Sequence, residues 1–362
     1  MKKVICCILA VIMSLSLGAC GSGNSATTSA APSTSASSSS DKSSFKGEKL
    51  VVGVWGGTIE QVLRDSVVTP MEKEYGCDIE LVLGGTADRK AKLYAEKGNP
   101  SMDVLFLNIF ESKQAIDDGV AEPVDSSLSN FNQLYDFAQT GGYGMSIMGL
   151  GIVYNSDLVK EPITSWKDLW RSDLKGKVAF PNYPGFEGDG LINATAQAWG
   201  LDVKTQTDAV FNKLAELKPV PMFYNSLDEL FLEMKEGNIL AAPLFNSYAN
   251  DYIDKGYPVK FVYPTDPGAI MAKDTMVIAK GTKNDALAKE FVNRCISLDT
   301  QTAYANKIFF GPCNKNVKVS EDVAKKIVYG DEVKTLVPLD WDYIQTQQSA
   351  WTEKWNRELA AD

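Results

Sequence analysis

Apolar and polar residues change their period repeatedly along the chain. Leu50–Val54 is a short apolar run ending at Trp55-Gly56-Gly57-Thr58, and it predicts a strand. Behind it Ile59, Val62, Leu63 and Val67 recur at helical spacing. Thr69-Pro70-Met71-Glu72 carries a Thr cap, a Pro in the first turn and a Glu three residues on, predicting that the helix restarts there. Ile79–Leu83 and Asp103–Leu107 predict two more strands, with a helix over Arg89–Glu96 between them that turns Leu93 inward. A strand-helix-strand-helix-strand order implies a parallel sheet with helices on its faces.

The pattern continues. Gly151-Ile152-Val153-Tyr154, Lys177–Phe180, Val220–Phe223, Ile239–Pro243, Val259–Val262 and Met276–Ala279 read as strands, and Leu191–Trp199 as a helix closed by Gly200. Asp285–Ile296 sets Leu287, Phe291, Val292 and Cys295 on one face. Asp340–Leu359 does the same with Trp341, Ile344, Trp351, Trp355 and Leu359. No segment repeats. The expected class is α/β, with two α/β lobes, a hinge and an interlobe cleft where strand C-termini meet helix N-termini.

The first residues follow another rule. Met1-Lys2-Lys3 precedes an apolar run from Val4 to Leu17, too short for a membrane span and typical of a secretory signal. It ends in Leu17-Gly18-Ala19-Cys20, which resembles the bacterial lipobox, so residues 1–19 are expected to be a signal peptide and Cys20 to carry lipid. Residues 20–47, mostly Ser, Thr, Ala and Gly, have too little to bury and are expected to form a flexible tether. With no later stretch apolar enough to span a bilayer, an extracytoplasmic body anchored to the membrane by lipid is expected.

Composition narrows the chemistry. The net charge of −10 becomes −12 once Lys2 and Lys3 leave with the signal. An acidic body argues against nucleic acid and anionic lipid as partners and suits a cationic ligand. The chain has no histidine, so it lacks the commonest metal ligand, the commonest general base and any Ser-His-Asp triad. Cys77, Cys295 and Cys313 show no metal-ligand spacing, and whether Cys295 pairs with Cys313 stays open. No metal and no cofactor are expected.

Several segments then occur in a telling order. They are Trp55-Gly56-Gly57, Asn99-Pro100-Ser101-Met102-Asp103-Val104, Gly149 through Asn155, Thr164 through Trp170, Gly176-Lys177-Val178-Ala179, Gly256 through Pro264, Gly268-Ala269-Ile270, Asp274, Gly311 through Lys315, and Asp340-Trp341 with Trp351 and Trp355. Together they resemble the extracellular solute-binding proteins of the spermidine/putrescine type, with the type II periplasmic binding fold. The resemblance covers the chain after the tether. It implies one lobe from 48–152 and 276–312 and a second from 153–275 and 313–362, closing as rigid bodies. It also implies a monomer that delivers a small molecule to a permease and ATPase of an ABC importer.

Candidate ligand contacts follow. Trp55 offers a ring to a cation or apolar stem, the Gly56-Gly57 amides near a helix start offer an alternative anion site, and Gly57 and Thr58 are both expected contacts. Asn108 falls at the end of a strand, as a contact or a turn-former. Glu187 and Asp189 either cap a helix or pair with ligand ammonium groups, as the resemblance implies. Phe245, Asn246 and Tyr248 follow another strand, Phe245 matching a family aromatic, and Asp274 matches a family carboxylate set against an amine. Arg89 would hold a carboxylate or phosphate, or face water. Ala272 stands where the family has a second cleft tryptophan, which turns the expectation from spermidine toward a smaller amine or a zwitterion. A carboxylate, phosphonate or thiamine-like solute is the alternative. An enzyme of the thiaminase type would need a cleft cysteine with an activating base, and there is no histidine to activate Cys313.

Overall fold

The computed structural model describes residues 45–361. The expected signal peptide, Cys20 and nearly all of the expected tether lie outside them. Among the described residues ten strands are formed: β1 (Lys49–Val54), β2 (Asp78–Leu83), β3 (Val104–Asn108), β4 (Tyr143–Asn155), β5 (Phe180–Pro181), β6 (Phe223–Tyr224), β7 (Ala241–Phe245), β8 (Val259–Val262), β9 (Ile270–Ile278) and β10 (Gly311–Pro312). The helices are α1 (Thr58–Leu63), α2 (Thr69–Tyr75), α3 (Thr86–Ala95), α4 (Ile109–Asp117), α5 (Phe186–Ala198), α6 (Thr207–Ala215), α7 (Leu227–Lys235), α8 (Asn246–Asp254), α9 (Asp285–Cys295), α10 (Leu298–Ile308), α11 (Glu321–Ala324) and α12 (Trp341–Lys354).

The parallel βαβαβ expectation holds for β1, which pairs with β2 on one side and β3 on the other. Beyond β3 the sheet turns mixed, because β9 returns antiparallel to both β3 and β4. Two long strands organise the molecule. The first part of β4 pairs with β9 from Tyr143 to Leu150, and its last part pairs with β7 from Leu150 to Tyr154 and with β8 from Ile152 to Asn155. Strand β9 mirrors this, since Asp274–Ile278 pairs with β3 while Ile270 meets Leu150. Strand β4 therefore exchanges β9 for β7 at Leu150, opposite the start of β9 at Ile270.

Sequence reading found only one end of each of these strands. All thirteen residues of β4 are buried, so it shows no alternation. Its glycines also look like breakers but serve close packing. A Cβ on Gly151 would sit 2.3 Å from the Val262 carbonyl oxygen, and one on Gly149 would sit 2.7 Å from the Tyr263 ring.

The expected restart at Thr69 is corrected. Residues 58–75 form one helix with a π-helical turn over Arg64–Val68, and Thr69 has helical dihedrals with no capping bond. Pro70 has no N–H and its ring crowds the carbonyl four residues back, and the wide turn relieves both. Glu72 accepts from the Ile79 amide instead of closing a capping box.

At the C-terminus α12 continues into a π-helical segment at Trp355–Ala360, and the apolar face of the pair buries as expected. Trp355 stacks on Tyr183 at 5.0 Å and Trp341 packs on Phe110 and Phe186, both at 4.9 Å. Cys77, Cys295 and Cys313 are free and buried, which closes the pairing question.

Candidate functional site

The C-terminal ends of β1, β3 and β7 deliver the starts of α1, α4 and α8 to one place, and the start of α5 joins them. They surround a cavity of about 450 Å³. Eight of the ten sequence-selected residues line it: Trp55, Gly57, Thr58, Asn108, Glu187, Phe245, Tyr248 and Asp274. Each follows a strand end or opens a helix, except Asp274, which lies within β9.

Asp274 is held between β3 and β4, with Asn108 and Ser146 as its register neighbours. It accepts a hydrogen bond from Ser146 Oγ at 2.8 Å. Burial pushes its carboxyl up to about 6, with the Ser146 bond and the distant Arg89 charge resisting. Glu187, on the first turn of α5, is also raised by burial, and its carboxylate faces the cavity with no ion pair to any described cation. Two half-buried carboxylates thus line one cavity with no ion pair to either among the described residues.

The walls are aromatic. Trp55 is fixed from behind, because its indole N–H donates to Thr86 Oγ1 at 3.0 Å and Arg89 lies 4.6 Å from its ring. Both expectations for Arg89 are corrected. It is 3 % exposed, its Nε donates to the Phe106 carbonyl at 3.0 Å, and it also donates to the Gly84 carbonyl. Gly53 makes room for it, since a Cβ there would lie 2.7 Å from the Arg89 side chain. The fork is spent on the backbone, and Arg89 acts as the support of the Trp55 wall. Phe186 packs on Phe245 at 5.4 Å, and Phe245 on Tyr248 at 5.8 Å.

Asn108 serves two ends. Its side chain caps α4 by accepting from the Glu111 amide at 3.2 Å, and it lines the cavity as well. Lys273 sends its ammonium away, donating to the Phe137 and Thr140 carbonyls, and burial lowers it to about 8. Asn246 is not brought to the cavity. It is fully buried, accepting from the Gly149 amide at 2.9 Å and donating to the Lys326 carbonyl at 3.0 Å, a tie across the crossing strand. Asp189 lies elsewhere too, accepting from Tyr183 Oη and Gln348 Nε2, each at 2.8 Å, and burial raises it to about 7.

Sequence reading missed Phe186, Met148 and Phe310 as cavity walls, together with a whole adjoining chamber of about 750 Å³ that shares Asn108 and Phe186 with the first. Phe186 was signalled by its place just before Glu187 at a helix start. The second chamber is drawn from α3, α4, α5 and α12, elements too distant in sequence for any local pattern to reveal.

A family model described as bacterial extracellular solute-binding protein matches residues 66–328. The chain belongs to that family. It is similar to a solved ABC transporter structure from Clostridium perfringens, 31% identical, covering 86% of this chain and 99% of that one with a TM-score of 0.75. It is also similar to spermidine/putrescine-binding periplasmic protein 1 of Haemophilus influenzae, 24% identical over 75% of this chain and 77% of the relative. A gamma-aminobutyric acid-binding protein of Pseudomonas aeruginosa is 21% identical over 75% of this chain and 78% of its own.

The architecture is that of a type II periplasmic binding protein, with two α/β lobes and a mixed sheet. This solute-binding protein works outside the cytoplasm, as the substrate-binding component of an ABC importer that captures a solute in its interlobe cleft, and it is not an enzyme.

Proposed function

We propose that the captured solute carries an aliphatic amine, paired with Asp274 and Glu187 and walled by Trp55, Phe245 and Tyr248. One observation carries the reading: two half-buried carboxylates face one aromatic-walled cavity with no ion pair to either among the described residues. Burying a charge without a partner is costly, and an ammonium supplies the missing partner while an aromatic wall adds a cation–π contribution. Support also comes from the relatives, since putrescine, spermidine and gamma-aminobutyric acid share an aliphatic amine and differ in the rest of the molecule. The amides at Gly57 and Thr58 and the side chain of Asn108 orient what the amine bears. The solute passes to a permease and ATPase.

Further parts of the reading concern organisation. Residues 48–152 with 276–312 and 153–275 with 313–362 are proposed as the two lobes, a division supported by the partner exchange of β4 at Leu150, opposite Ile270. Cys20 is proposed as the lipid anchor, which mass spectrometry of the membrane-extracted protein against Cys20→Ala tests directly.

The amine reading is tested by calorimetric titration with putrescine and gamma-aminobutyric acid. Asp274→Asn keeps the shape and removes the charge, so amine affinity falls on the order of 30- to 100-fold if a desolvated ion pair of about 2–3 kcal/mol is lost. Unchanged affinity, or a response only to carboxylates without an amine, overturns the reading.

A further inference from the structure

Helix α3 presents Thr86, Lys90 and Tyr94 at four-residue spacing, with Ala87 and Ala91 beside them, as one stripe along the second chamber. Gln114 on α4 faces the stripe, and Gln345 and Gln348, one turn apart on α12, complete the wall. The chamber differs in kind from the first. Its charged groups already make hydrogen bonds within the protein, Glu111 accepting from the Asn108 amide. Lys90 donates to Gln114 Oε1 at 2.6 Å and its charge favours the nearby Glu111 carboxylate, while Asp189 is held by Tyr183 and Gln348.

What remains open is a balanced set of neutral donors and acceptors. The Gln114 amide nitrogen donates to no described group, and Lys90 has further N–H donors. Gln345 uses its nitrogen on the Phe110 carbonyl and Gln348 uses its own on Asp189, leaving both amide oxygens as acceptors. Phe110, Phe186 and Pro184 supply flat apolar faces between them. Hydroxyl groups, each a donor and an acceptor, match such a lining, and the C–H faces of a polyol match the flat walls. A second ammonium meets the Lys90 charge here beside carboxylates that already accept hydrogen bonds, and a bare methylene chain leaves the amides unsatisfied.

We propose that the second chamber is a subsite for a hydroxylated, uncharged extension of the ligand, so that the solute is an amine bearing a polyol or sugar-like part. The proposal rests on the amine reading of the first chamber. Three six-carbon probes separate the possibilities by titration calorimetry on the full chain: glucamine (1-amino-1-deoxyglucitol), hexylamine and 1,6-diaminohexane. Glucamine is expected to bind roughly tenfold more tightly than either of the others, the worth of one or two net hydrogen bonds.

In a Gln114→Leu, Gln345→Leu double variant that advantage disappears. Both side chains are partly exposed, and a thermal melt verifies folding. Should the double variant not fold, the single Gln345→Leu change is expected to reduce the advantage by about half on a logarithmic scale. Equal binding of all three probes, tightest binding of 1,6-diaminohexane, or a preference that survives the substitutions overturns the subsite while leaving the amine reading in place. Failure of all three to bind overturns both.

Discussion

Glu187 and Asp189 sit two residues apart on the first turn of α5, yet the fold uses them in opposite ways. Asp189 points toward α12 and is closed in by two donors, Tyr183 and Gln348, at 1 % exposure. Glu187 points into the cavity beside Asp274 and receives no side-chain donor. Burial raises the proton affinity of both, and only at Asp189 do side-chain donors oppose the rise. A carboxylate with its partners in place belongs to the architecture. A carboxylate left short of partners is held ready for something that arrives from outside.

The sharpest break of this contrast is in stability. Asp189→Ala should cost about 2–3 kcal/mol in urea unfolding, since it opens a small void and leaves the buried Tyr183 hydroxyl without an acceptor. Glu187→Ala removes no such acceptor and should cost under about 1 kcal/mol. Equal losses at the two positions would end the distinction between them. Next in size is an effect on Trp55. Arg89→Met removes the cation behind the indole and the donor to the Phe106 carbonyl, so amine affinity should fall about fivefold even though Arg89 is not a cavity-lining residue. Indole fluorescence should shift with it, and an unchanged emission would show that the ring needs no such support.

Much of this was legible in the chain, for reasons that also explain the gaps. Strand ends followed by glycine or helix starts located Trp55, Asn108 and Phe245, because open α/β architectures place their sites there. The hidden parts were those where local pattern and tertiary role disagree. The buried crossing β4 has no period and three glycines, so only Gly151–Tyr154 looked like a strand. Asn246 reads like a site residue, yet its amide is consumed in tying Gly149 to Lys326. Arg89 lies in a helix of polar residues, and nothing short of the Gly53 gap reveals that it is buried. Fully unreadable was the second chamber, whose glutamines on α4 and α12 are more than two hundred residues apart.

Stability should also depend on pH, and the sign is unusual. Asp274 and Asp189 ordinarily titrate near 3.8 but are raised to about 6 and about 7 in the folded protein. Between the unfolded and folded values the native state binds more protons than the unfolded chain, so their contribution to stability falls as pH rises through that window. The ligand-free protein should therefore become more stable on acidification from pH 7.5 to pH 5, read by urea unfolding. Asp274→Asn cannot titrate and should flatten the lower part of that rise while leaving the part that belongs to Asp189. Amine affinity should run the other way, weakening below about pH 6 as Asp274 takes up the proton that its partner would displace. If the free protein instead loses stability steadily from pH 7.5 to pH 5, burial does not hold Asp274 and Asp189 above their ordinary range, and the reading of Asp274 as a carboxylate short of partners fails with it.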